Sequence, residues 1–147
     1  MIHAQLALDR KNPALVLHAL QSSPLELISS DSCLSFVYVR GEVYLAAAQG
    51  IAAATEFQKM LDHNGIVRNC WTGALAHLGV ARANALQAKT SQGEDADAAC
   101  VRAFAAHKDF LTFSKDADPD IPILKQAKAD YAKLQLAPSC FGSSWWV

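Results

Sequence analysis

The chain has 147 residues, enough for one domain or a short stack of repeats and enough to bury a core. It is 52% hydrophobic but only 8% aromatic, with alanine supplying much of the apolar share, which favours an all-α fold because alanine is the best helix former. Thirteen basic and fourteen acidic residues leave a net charge of −1 with no basic block, so the clustered cations that neutralise nucleic-acid phosphates are missing.

The elements follow in chain order. Residues 2–10 read as a short helix. Asn12-Pro13 starts the next, with Asn at the N-cap and Pro at the first helical position. That helix runs to about residue 21, and Ser22-Ser23-Pro24 ends it. A third helix is expected over about 33–49, with Val37, Gly41, Tyr44, Leu45 and Ala48 on one stripe. Gly50 breaks it. A fourth spans about 51–63, with Ala53, Phe57, Met60 and Leu61 inward, and Asn64-Gly65 stops it. After a loop, a fifth helix covers about 71–89. Leu75, Leu78, Gly79, Arg82 and Leu86 mark one face, with Arg82 snorkelling. A sixth covers about 95–114, and its stripe is Ala96, Cys100, Ala103, His107, Phe110 and Leu111.

The acidic linker 116–122 places Asp118 and Asp120 at the start of a last helix, about 121–135. Leu124, Ala127, Tyr131 and Leu134 give that helix a single face, suited to capping a stack. The domain therefore spans 1–135. Residues 136–147 form an irregular apolar tail ending in Trp145 and Trp146. No apolar run reaches the roughly 18 residues that cross a bilayer. His3, Gln5 and Asp9 break the start of the chain, which lacks the apolar core of a signal peptide. The expectation is a cytoplasmic protein without a membrane partner.

Aligning the small residue of each first helix gives Ala4, Gly41 and Gly79, separated by 37 and 38 residues. The tetratricopeptide repeat is about 34 residues of two antiparallel helices. The best copy holds Gly41, Tyr44, Ala53 and Phe57; in the next, Ala103 and His107 take the later places. The segments beginning at Tyr38 (YVRGEVYLA), Glu56 (EFQKMLDHNGIV), Gly73 (GALAHLGVARA) and Lys115 (KDADPDIPILKQAKADYAKL) carry a narrower likeness. They resemble the C-terminal repeat region of a family of soil-bacterial serine/threonine protein kinases. No Gly-rich loop, His-Arg-Asp or Asp-Phe-Gly is present, so the resemblance implies a bacterial tetratricopeptide-like right-handed superhelix and protein interaction, not kinase activity.

The chemistry-bearing residues point the same way. The histidines His3, His18, His63, His77 and His107 form no H-x-x-x-H or H-E-x-x-H pattern. His18 and His107 read as satisfied core or boundary residues, and His63 as a helix C-terminal cap. Asp116, Asp118 and Asp120 alternate as in a calcium loop, but Ile121 and Ala127 occupy the places of its glycine and glutamate. Cys33, Cys70, Cys100 and Cys140 form no C-x-x-C pair and read as free thiols. No metal, cofactor or catalytic residue is expected. The function expected is a non-enzymatic interaction module for a protein or peptide partner. Self-assembly into a homo-oligomer is the alternative, and a small-molecule-binding helical domain a further one. The partner surface is expected at Tyr38, Glu42 and Leu45, beside Ser35, and at Val80, beside Gly73, Ala76 and Ala83. Trp145 and Trp146 in the tail complete it. Basic residues that would grip a peptide carboxylate are not seen at those positions.

Overall fold

The computed structural model describes residues 13–20, 33–67, 70–136 and 140. Among them the protein is all-helical. In chain order the helices are α1 (Pro13–Leu20), α2 (Ser35–Ala46), α3 (Gly50–Asp62), the single turn α4 (Asn64–Val67), α5 (Trp71–Thr90), α6 (Gly93–Phe113) and α7 (Pro122–Gln135). The expected helix over 2–10 and the tryptophans of the tail lie outside the described residues. None of the described helices is long and apolar enough to cross a membrane.

Each helix packs on the next: α1 on α2, α2 on α3, α3 on α5, α5 on α6, and α6 on α7. α2 also reaches α5 directly. This makes two hairpins, α2–α3 and α5–α6, with α5 on the inside of the stack. The centre is Phe57 of α3, fully buried. A methyl group built on Gly41 of α2 would stand 2.6 Å from its Cζ, and one on Gly79 of α5 would stand 2.6 Å from its Cγ. Two glycines 38 residues apart thus accommodate one phenyl ring. No side chain fits at either position while the ring is there.

Gly50 plays a different part from a helix breaker. It is buried at the first position of α3, and a methyl there would lie 2.9 Å from the carbonyl oxygen of Ala83 in α5. The left-handed residue of the turn is Ala48, at φ 57°. Gly50 is therefore required by the approach of two helix backbones. Asn64-Gly65 does follow the end of α3, but the chain re-enters a helical turn there instead of a loop. Asp118 and Asp120 precede α7, whose first turn holds no acid. They are exposed: Asp118 accepts a hydrogen bond from the Asp120 amide at 2.8 Å, and Lys125 pairs with Asp120 at 2.8 Å.

The cysteine expectation is overturned. Cys33 is bonded to Cys70 and Cys100 to Cys140, with Cα–Cα separations of 5.8 and 5.3 Å. The partners are 37 and 40 residues apart, so only the stacking of hairpins brings them together. The first bridge ties the entry of α2 to the entry of α5. Beside it the buried Thr72 hydroxyl donates to the Cys33 carbonyl at 2.7 Å. Cys33 and Leu34 both take positive φ, 51° and 50°. The second bridge fastens the start of the tail to α6.

A buried ion pair completes the framework. The Nε and Nη2 of Arg40 (α2) donate to one oxygen of Glu56 (α3) at 2.8 and 2.7 Å, and Arg40 Nη1 reaches the Leu20 carbonyl that ends α1 at 3.5 Å. Lys59 donates to the other Glu56 oxygen at 2.6 Å. Three helices are joined through this carboxylate and guanidinium.

Candidate functional site

The inner position of α5 leaves two of its strips uncovered. On the first, α3 and α6 flank α5 and leave a groove with α5 as its floor. At one end lies a hollow of about 690 Å³, lined by Leu61, Val67, Gly73, Ala74, His77 and Phe113. Leu61 and His77 also line the next hollow, of about 660 Å³, with Thr55, Gln58, Val80, Asn84, Gln87, Arg102 and Asp109. Ile51 and Gln87 carry it into a third, of about 440 Å³, at the α2–α3 turn. The floor residues Gly73, His77, Val80, Asn84 and Gln87 recur every three or four positions, as one helix face requires. At 1.5 Å per residue the 20-residue helix gives the groove a length of about 30 Å.

The groove is graded in character. Its α4 end is apolar, with Phe113 68% exposed and lying against the His77 ring at 4.9 Å. Burial pushes the His77 imidazole below the ordinary histidine value, and Asp109 partly offsets this, so the ring is neutral at pH 7. The middle is polar. Arg102 Nε donates to Asn84 Oδ1 at 2.8 Å, its Nη2 donates to Gln87 Oε1 at 3.4 Å, and Asn84 Nδ2 donates to the Val80 carbonyl at 2.9 Å. Gln58 donates to Asp62 at 2.9 Å on the α3 wall. Ile51, 74% exposed, stands at the far end.

The second strip faces the opposite side and holds Arg82, Leu86 and Lys89. Residues 80 and 82 are about 200° apart around a helix axis, which separates the two strips. Tyr38 and Glu42 meet Arg82 on this side. Burial raises the Tyr38 phenol well above its ordinary range, and the Glu42 charge adds to it. Burial also raises Glu42, against the lowering from its hydrogen bond with Tyr38 and from Arg82.

The expected surface residues therefore part company. Tyr38, Glu42 and Leu45 are half-buried; Tyr38 packs edge-on to Phe57 and Trp71 at 5.7 and 5.5 Å, and Leu45 packs on the same core. Val80 and Gly73 belong to the other strip, while Ala76 and Ala83 are buried. Trp145 and Trp146 lie outside the described residues. The sequence reading missed His77, Asn84, Gln87 and Arg102 as groove residues, and Arg82, Lys89 and Lys133 as a basic group. The signal was the three- and four-residue recurrence of polar side chains along α5.

The histidines also divide. His63 Nδ1 donates to the Lys59 carbonyl at 2.7 Å, as a helix C-terminal cap. His18 is exposed. His107 is buried, as expected, but its Nδ1 has no hydrogen-bond partner, so it is not a satisfied core histidine. Among the described residues no three His, Cys, Asp or Glu side chains converge as a metal site would need. Comparison with known protein families, curated proteins and solved structures returned no match for this chain.

Proposed function

We propose that the chain is a non-enzymatic interaction module of tetratricopeptide-like hairpins that holds an extended peptide segment of a partner protein in the α3–α5–α6 groove. The continuity of that groove along the whole of α5 carries the reading. Amide and hydroxyl side chains at Thr55, Gln58 and Gln87 can bond a peptide backbone, and the apolar end at Leu61, Val67 and Phe113 can take an apolar side chain. Helical-repeat kinship is supported by the hairpin order, by the matched roles of Gly41 and Gly79, and by the resemblance to the kinase-associated repeat region. The two disulfides favour an oxidising compartment for this module over the reducing cytoplasm expected from the sequence.

The test is selection of peptides from a displayed random library on the disulfide-bonded chain. Thr55 and Ala105 line the groove and are exposed, so Thr55→Trp and Ala105→Trp fill it without disturbing the core. Peptides held by the wild-type chain are expected to lose at least tenfold in affinity for both variants. Selected peptides that bind all three chains equally would place recognition elsewhere and sink the groove reading.

Self-assembly is the second reading, favoured by the exposure of Val101 and Leu136 at 66% and 83%. Sedimentation across a concentration series decides it: a mass that stays monomeric rules it out.

A further inference from the structure

Between α5, α6 and α7, on the strip opposite the groove, lies a cavity of about 280 Å³. Its charged walls are Arg82 and Lys89 from α5 and Asp130 and Lys133 from α7, and His107 of α6 lines it from within. Three cations face one carboxylate. Lys89 and Lys133 have no ion-pair partner among the described residues. Arg82 approaches Asp130 at 3.6 Å through Nε, beyond hydrogen-bond length. Its planar fork of five donors is thus left without a hydrogen bond among the described residues, in a side chain only 30% exposed. His107 closes the inner wall: the residue is 1% exposed, and its unpartnered Nδ1 lies out of reach of solvent, so the bonding groups of the cavity are those of Arg82, Lys89 and Lys133.

We propose that this cavity binds a compact oxyanion, a phosphate or small dicarboxylate, held by the Arg82 guanidinium with Lys89 and Lys133 at its mouth. The chemistry of the donors selects the class. A guanidinium fork matches two oxygens of a carboxylate or phosphate side by side. Two exposed lysines raise the local anion concentration and add charge without fixing geometry. The size of the cavity suits a small ion, not a chain segment. Asp130 does not line up as a bidentate partner, so it leaves the fork open and orients it. Glu42 acts on Arg82 from the α2 side and lies outside the lining. This site stands apart from the groove and does not rest on the peptide reading.

The test is calorimetric titration of the whole disulfide-bonded chain with inorganic phosphate and, separately, with malonate, followed by the His107 ring signals in proton–carbon NMR spectra. Saturable binding of either ion is expected, with His107 signals shifting at the same concentrations. Arg82→Gln should weaken it at least tenfold. Lys89→Gln with Lys133→Gln changes two exposed side chains and leaves the fold intact; it should weaken binding several-fold and flatten its salt dependence. Binding of phosphate alone or malonate alone supports the site and names its ligand. Absence of saturation for both ions, or equal binding by the wild-type chain and the double lysine variant with no His107 shift, overturns it.

Discussion

The shared ring between two glycines allows a test in which one substitution changes sign. In an ordinary helix interior, Gly→Ala stabilises by roughly 0.5–1 kcal/mol through backbone entropy. At Gly79 the added methyl would lie 2.6 Å from Phe57 Cγ, and at Gly41 it would lie 2.6 Å from Cζ. Phe57 is fully buried and cannot swing away. Overpacking of this kind costs about 1–3 kcal/mol. Gly79→Ala in the wild-type chain should therefore be net destabilising, by about 0–2.5 kcal/mol after the helix gain is set against it. Phe57→Ala alone should cost about 3–5 kcal/mol, because it leaves a cavity between α2, α3 and α5. In that background the methyl enters empty space, and Gly79→Ala should stabilise by about 1 kcal/mol. The coupling between the two changes should be about 1–3 kcal/mol. Urea unfolding of the four chains, with disulfides intact, gives the cycle directly. Phe57→Leu replaces Phe57→Ala if the latter does not fold. Additive effects, or a stabilising Gly79→Ala in the wild-type chain, would refute the account of the core.

Three further outcomes are expected. Glu56→Ala removes the carboxylate bonded to the buried Arg40 guanidinium and should cost about 3–5 kcal/mol in urea unfolding, whereas Lys59→Ala, at a lysine 47% exposed, should cost no more than about 1; equal effects would contradict the burial assigned to the pair. Reduction should lower stability by about 2–4 kcal/mol for each bridge, read as a fall in melting temperature with reductant, because each closes a loop of some 40 residues; an unchanged melting temperature would show that the bridges do not constrain the chain. Burial holds His107 below its ordinary value of 6.5, against Asp130 and with Arg82 adding to the lowering. The unfolded chain therefore takes up this proton first as pH falls, so stability is full above about pH 6.5 and declines below it. His107→Gln should reduce that decline, and an identical pH profile for the variant would show that His107 does not contribute to it.

How much of this was legible in the sequence depends on how one-sided each helix is. α7 has one buried face, and Leu124, Ala127 and Leu134 are found where the recurrence put them. α6 likewise buries Ala96, Cys100, Ala103, His107 and Phe110 as a stripe. α5 was readable as a helix but not as a surface. Its buried residues, among them Thr72, Leu78, Ala81, Ala83 and Ala88, go right round the axis because helices pack on two of its sides. Periodicity then carries no direction: Tyr38 faces Arg82, and Val80, expected on the same partner surface, lies on the other strip. The disulfides were illegible for another reason. Pairing across 37 and 40 residues is fixed by how hairpins stack, and spacing along the chain holds no trace of that.

The same inner position explains why one helix serves two candidate sites. A helix with neighbours on two sides keeps two narrow strips, and their residue types differ here. His77 and Gln87 on one strip offer neutral donors and acceptors in a long open groove. Arg82 and Lys89 on the other offer charge at a small cavity closed by α6 and α7. Neutral groups in a channel suit many backbone-like contacts of modest strength, which is how an extended chain is held. Concentrated charge around a half-buried guanidinium suits one small ion, held by few and strong bonds. Phe57, locked between Gly41 and Gly79, and the bridge from Cys33 to Cys70 fix α5 against α2 and α3. Each strip therefore presents its side chains from a backbone already held in place, so little ordering remains to oppose binding on either side.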